Sequence, residues 1–236
     1  MVNEKYHGLG TAPSVISELF AYGLQQAKVV GKENVFDYSL GNPSIPAPAK
    51  VNETIKKLID TTDSIQLHGY SMAPGFENVR QAIADNLNAR FNCNAKASEL
   101  FMTCGCAPAL VSVAHALTTS PEDEFIAIAP FFPEYNVFFT CAGAKLAVVP
   151  ADTVHFQIDM DALEKTINEH SVAVVINSPN NPSGVVYTEE TLTKIAELLE
   201  RKSKEYGHPI YIVADEPYRE LVYDGVKVTF IPNVYD

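Results

Sequence analysis

Apolar positions along the chain change their spacing near residue 100. Before that point they recur every three to four residues. Ile16, Leu19, Phe20, Leu24 and Ala27 share one helical face across residues 14 to 30, with Pro13-Ser14 as the expected start. Val51, Ile55, Leu58 and Ile59 predict a second amphipathic helix, and Phe76, Val79, Ile83 and Leu87 a third. Between the first two, Gly41 to Pro48 holds Pro43, Pro46 and Pro48 and predicts an extended connector. Residues 61 to 75, with Gly69-Tyr70 and Pro74-Gly75, read as a loop.

From residue 100 onward short apolar runs alternate with helical stripes. Leu100 to Cys104, Phe125 to Ala129, Lys145 to Val149, Val172 to Ile176 and Ile210 to Val213 predict strands. Ala107, Leu110, Val111, Ala114 and Leu117 predict a helix, and Pro133 to Cys141 a short one. Met160, Leu163 and Ile167 predict another, with Asp159 as N-cap. Leu192, Ile195, Ala196 and Leu199 form a stripe behind Thr188-Glu-Glu. This alternation predicts an α/β fold, a mostly parallel sheet with helices on both faces in three layers. There is no internal repeat and no low-complexity tract.

Composition narrows the classes without changing the architecture. The 236 residues suffice for one large domain, or one plus part of another. A hydrophobic share of 47% and a charged share of 19% suit a soluble globular protein. Seventeen basic against 29 acidic residues give a net charge of −12, with no Lys/Arg cluster, which argues against nucleic acid and membrane partners. No run of about 18 apolar residues is available to span a bilayer. Met1 to His7 lacks the basic and apolar regions of a secretory signal. Cys93, Cys104, Cys106 and Cys141 form no C-x-x-C and read as reduced thiols of a cytoplasmic protein. Cys104-Gly-Cys106 has the look of half a metal site, but no second ligand pair follows, so these cysteines read as structural.

The chemistry sits just past the apolar runs. Gly105-Cys106-Ala107-Pro108 opens a helix, where small residues let backbone N–H groups approach an anion. Pro130-Phe-Phe-Pro offers an aromatic that can stack on a flat ring. Asn177 to Gly184 is a stiff loop presenting amide side chains, and Asp215-Glu-Pro-Tyr218 puts a carboxylate at the end of an apolar strand, where it is costly without a partner. Read singly, these are a tight turn, core packing, an Asx-rich loop and an acid awaiting an arginine, a helix end or a protonated ring nitrogen. Read together they specify an anion seat, a ring platform, an amide donor and a carboxylate at one sheet edge, where open α/β sheets bind ligands.

That combination resembles the cofactor site of fold-type-I aminotransferases of class I/II, and the likeness runs through nearly the whole chain. The resemblance implies pyridoxal 5′-phosphate (PLP), an amino acid and a 2-oxo acid as small-molecule partners, and a homodimer. It implies a large domain at 46–236, incomplete at its C-terminal end, after an N-terminal arm and the start of a small domain at 1–45. Leu40-Gly41-Asn42-Pro43 resembles the glycine motif near the substrate carboxylate. Tyr70, with Gly75 and Arg80 at the family's spacing, resembles the tyrosine that reaches the phosphate of the neighbouring subunit's cofactor. Gly105, Cys106 and Ala107 match the phosphate turn, with Ala107 where relatives often carry a hydroxyl. Phe132 matches the stacking aromatic. Asn181 matches the contact to the phenolic oxygen and support of the substrate carboxylate, Asp215 the ring-nitrogen partner, and Tyr218 a second phenolic-oxygen contact. The Schiff-base lysine of this family lies about 30 residues beyond the aspartate, past Asp236. Lys227, in what looks like a surface turn, lacks the expected Ser/Thr-x-x-Lys setting. The expectation is an incomplete chain, a truncated product or a fragment of an active transaminase, that binds PLP weakly and does not turn over. A lyase, decarboxylase or synthase on the same fold, or a non-catalytic binding or dimerisation protein, shares the same residues. Aromatic, alanine and aspartate substrates are all open, with a lean to small or acidic ones from overall resemblance.

Overall fold

The computed structural model describes residues 1–12, 15–41 and 45–235. The chain divides into two compact units, Met1–Tyr70 and Ser71–Asp236. The expected helix start at Pro13-Ser14, and Asn42 and Pro43 of the Leu40 to Pro43 motif, lie outside the described residues.

The first unit is helical: α1 (Glu4–Thr11), α2 (Val15–Val30), α3 (Ala49–Thr61) and α4 (Ser64–His68). Periodicity correctly predicts α2 and α3. It misses α1, capped by Asn3, and α4, capped by Asp63, whose carboxylate accepts from the amides of Ile65 and Gln66. Both are short, and their caps rather than their apolar spacing define them. None of the described residues of this unit is buried. Leu19, Phe20 and Leu24 on α2, and Val51, Ile55, Leu58 and Ile59 on α3, are exposed.

The second unit carries α5 (Glu77–Phe91), α6 (Cys106–Leu117), β1 (Glu124–Ile128), α7 (Glu134–Cys141), β2 (Lys145–Val149), α8 (Met160–Thr166), β3 (Ser171–Asn177), α9 (Glu189–Tyr206) and β4 (Tyr211–Asp215). Its sheet has the order β2-β1-β3-β4, and every pairing is parallel. Side chains alternate between faces along each strand. Phe125, Ala127, Ala173 and Val175 pack with Leu110 and Ala114 of α6 and Tyr135 and Phe139 of α7. Ile126, Ile128, Val174 and Ile176 pack with Leu163 of α8 and Leu192, Ile195, Leu198 and Leu199 of α9. Helices therefore cover both faces, as the sequence pattern requires.

The expected strand at Leu100 to Cys104 does not form. Its backbone bonds outward to loops and turns, Leu100 N–H to the Ala97 carbonyl at 3.3 Å and Met102 N–H to the Pro74 carbonyl at 3.0 Å, and Phe101 and Met102 are exposed. An apolar run becomes a strand only against a partner, and among the described residues it has none. The chain leaves β1 in one direction, towards β2, and reaches β3 and β4 on the other side. The carboxyl ends of β1 and β3 thus flank a topological switch point, where a crevice opens.

Candidate active site

The site begins with two polar residues that end apolar strands. Asn177 closes β3 and Asp215 closes β4, and they are register partners. Both are buried. Asn177 Nδ2 donates to the Asp215 carbonyl oxygen at 2.8 Å, and its Oδ1 accepts from the Asn181 amide at 2.6 Å. One amide side chain thereby fixes the two loops that carry Asp215 and Asn181. The loop is braced from within as well. Asn180 Oδ1 accepts from the Ser183 amide and hydroxyl, and Ser178 Oγ accepts from the Tyr187 amide. Gly184 sits at φ 72°, which an L side chain rarely adopts, and its N–H donates to the Asn180 carbonyl.

Asp215 is 9% exposed, and Tyr135 Oη donates to its Oδ2 at 2.6 Å. Among the described residues no lysine, arginine or histidine pairs with it. A carboxylate held this way costs several kcal/mol in the absence of a cationic partner, so the site favours a cation or a charged N–H donor. Burial, and then the bond to Asp215, push the Tyr135 phenol far above its ordinary range, so it stays a donor at any working pH.

Gly105 precedes α6 at φ 111°, and no side chain caps the helix. The first N–H groups, those of Cys106 and Ala107 among them, therefore lack intrahelical and side-chain partners and face an anion favourably. Thr103 Oγ1 donates to the Gly105 carbonyl at 2.8 Å and holds the bend. Phe132 leads into α7 and meets the Tyr135 ring edge-on, with centroids 5.8 Å apart. Asn181 Nδ2 points at Tyr218 Oη across 3.4 Å. A cavity of about 100 Å³ is lined by Cys106, Ala107, Phe132, Asn181, Asp215 and Tyr218, together with Leu110, Phe138, Asn177 and Pro217.

Partial desolvation, and then the Asp215 charge, raise the thiol pKa of Cys106, an exposed residue at the cavity wall. This leads to a direct check on their proximity. Asp215→Asn removes the charge, lowers the thiol pKa and exposes more thiolate at pH 8. Alkylation of Cys106 by iodoacetamide, followed by peptide mapping, should quicken roughly threefold for each half-unit fall. An unchanged rate would place the two groups out of electrostatic reach.

Six of the sequence-selected residues thus line one cavity, and Gly105 caps the helix that forms its wall. Gly41 and Tyr70 belong to the first unit, where both are exposed. Lys227 is exposed and does not line the cavity. Sequence reading missed Tyr135 and Asn177. Tyr135 is one tyrosine within a short helix and Asn177 opens a proline-rich loop, so neither stands out until its partner at Asp215 is known.

The parallel α/β sheet has the aspartate aminotransferase type of fold seen in solved neighbours, and a slot with an acid in its wall opens at the carboxyl edge. The chain belongs to the aminotransferase class I and II family, whose model matches residues 33–235, and members of that family use PLP. An amino transferase from Eubacterium rectale, known from a crystal structure, is 58% identical with a TM-score of 0.98, covering 100% of this chain and 59% of that one. The probable N-acetyl-LL-diaminopimelate aminotransferase of Bacillus subtilis is 31% identical over 198 residues, 83% of this chain and 47% of that protein. The aromatic-amino-acid aminotransferase 2 of Thermococcus litoralis is 30% identical over 217 residues, 91% of this chain and 51% of that protein. The chain spans about half the length of the curated relatives it matches.

Proposed function

We propose that this chain supplies the cofactor grip of a transaminase, an enzyme moving an amino group between an amino acid and a 2-oxo acid with PLP. The observation that carries the proposal is Asp215, a buried carboxylate on the cavity wall with a tyrosine donor behind it and, among the described residues, no cationic side chain paired with it. The residues present fit the group. Asp215 keeps a pyridine nitrogen protonated. Asn181 and Tyr218 donate to a phenolic oxygen, and Phe132 supplies an apolar face for the ring. The N-terminal amides of α6 at Gly105, Cys106 and Ala107 seat a phosphate. Bound PLP supplies an electron sink for the carbanion formed at the amino acid's Cα.

The protein's part is to bind, orient and set charge. Tyr135 holds Asp215 in one orientation, so its negative charge is in place before the ring arrives. Asn177 keeps the Asn181 loop at a fixed distance from the Asp215 strand end. Among the described residues no lysine lines the cavity. In family terms residues 46–236 form the large domain, and 1–45 the arm and start of the small domain. Gly41 and Asn181 serve the substrate carboxylate, and Tyr70 serves the phosphate of a neighbouring subunit in a homodimer. A cytoplasmic location is in keeping with four cysteines outside any disulfide.

Equilibrium dialysis of the 236-residue chain tests this reading. Pyridoxamine 5′-phosphate is the better probe, because it has the ring and the phosphate but cannot condense with surface lysines. One saturable site is expected, and the same chain should give no transamination above background. Absence of a site sinks the proposal. Robust turnover lost on Lys227→Ala would move the chemistry to Lys227.

A further inference from the structure

We propose that Arg219 is a positioning residue of the cofactor cavity, clamping the loop that presents Tyr218 and Asp215. The idea rests on the function proposed above and concerns a residue outside the cavity lining. Arg219 follows Tyr218 directly, yet its side chain turns away and is only 11% exposed. Its Nε donates to Glu216 Oε2 at 2.9 Å, and Nη2 reaches the other oxygen of the same carboxylate, making a fork. Nη1 donates to the Val228 carbonyl and Nη2 to the Thr229 carbonyl, both at 3.1 Å. The guanidinium also lies 5.0 Å from the Phe91 ring and 5.3 Å from the Phe230 ring, and those two rings stack with centroids 4.3 Å apart.

Three segments meet at this one side chain: the loop after β4, the last residue of α5, and the stretch entering the turn Ile231–Asn233. Asn233 Nδ2 closes the arrangement by donating to the Phe91 carbonyl at 2.8 Å. Ile231 anchors the third segment in the core. The loop it holds has little backbone support of its own, and a second side-chain tie, Glu220 to Arg90 of α5, is solvent-exposed. Residues 216 to 221 form no helix or strand, and their backbone bonds are Arg219 N–H to the Glu216 carbonyl and Leu221 N–H to the Tyr218 carbonyl. A side chain that must meet a ligand oxygen within a few tenths of an ångström needs a support that is itself locked. Arg219 is placed to provide it, because a planar fork fixes direction as well as distance. A lysine retains the charge but reproduces neither the fork nor both carbonyl bonds.

The test uses the 236-residue chain and its variants Arg219→Lys, Tyr218→Phe and the double. Amide hydrogen exchange without cofactor reads the clamp directly. Residues 216 to 221 should exchange faster in Arg219→Lys while β3 stays protected. Affinity for pyridoxamine 5′-phosphate should fall about tenfold in Arg219→Lys, and by less than about threefold when the same change is made on Tyr218→Phe, since the two act through one contact. If β3 also loses protection, Glu216→Gln removes the same fork from the other side, and the same cycle is run on it. Unchanged exchange at 216–221, or an equal loss with and without the Tyr218 hydroxyl, overturns the proposal. A wild-type chain that binds no ligand overturns the cofactor reading alone, and the exchange data still decide whether Arg219 clamps the loop.

Discussion

Replacing Asp215 with alanine lowers the affinity of the cavity for PLP by two to three orders of magnitude. Removing one member of a buried charge pair costs ~3–5 kcal/mol, because the other charge is left unpaired in a poorly solvated place. Here the remaining charge would be the ring N–H, facing a wall with no other acid among its lining residues. The effect on folding is smaller, because two terms oppose each other. The variant removes a buried carboxylate that no cation among the described residues balances. It also leaves the Tyr135 hydroxyl, in a residue 1% exposed, without its acceptor. Ligand titration and urea unfolding on the same samples separate the two effects. An affinity within fivefold of wild type would mean that Asp215 does not face the ring nitrogen. Tyr135→Phe retains the carboxylate and loses only its orienting bond, so its cost in affinity is expected to be about tenfold.

The second large effect is on stability. Phe139→Ala is expected to cost ~3–5 kcal/mol of unfolding free energy, read as a lower urea midpoint at unchanged slope. Phe139 is fully buried and stacks on Phe125 with centroids 4.2 Å apart and planes 5° from parallel. The truncation removes a ring from the layer between α7 and the sheet, where β1 and α7 leave no solvent to refill it. Phe139 also meets the Tyr135 ring at 6.1 Å. Tyr135 is one helical turn earlier and carries the bond to Asp215, so the cavity loses affinity along with stability. Phe138→Ala, at a half-buried position on the same helix, provides a milder comparison. A loss below ~1 kcal/mol for Phe139→Ala would show that the layer collapses around the gap.

How much of this could be read from the chain depended on whether the signal was local. The helix α9 is an example of a legible element. Thr188 caps it through a bond to the Thr191 amide, its apolar positions face the sheet, and Gly207 ends it at φ 78°. Each of these is a short-range preference visible in the letters. Leu100 to Cys104 is the opposite case. Its letters suit a strand, but pairing is a property of two segments, and only the folded chain shows that this run has no strand partner among the described residues. The cavity residues Phe132, Asn181, Asp215 and Tyr218 were legible because each is chemically unusual directly after an apolar run. Tyr135, Asn177 and Arg219 were not, since a tyrosine in a helix, an asparagine before a proline-rich loop and an arginine beside a glutamate are ordinary until their partners are known.

The amino-acid sequence by itself therefore determined the alternation of helix and strand in the second unit, the parallel sheet it implies, and the residues that could grip a phosphorylated ring. Tertiary structure alone decided that β1 and β3 flank the crevice, that Asn177 and Asp215 stand opposite one another, and that a tyrosine on α7 completes the carboxylate. The physical reason is range. Periodicity and capping act over a few residues, whereas a hydrogen bond from position 135 to position 215 exists only once the chain between them has folded to bring its ends together.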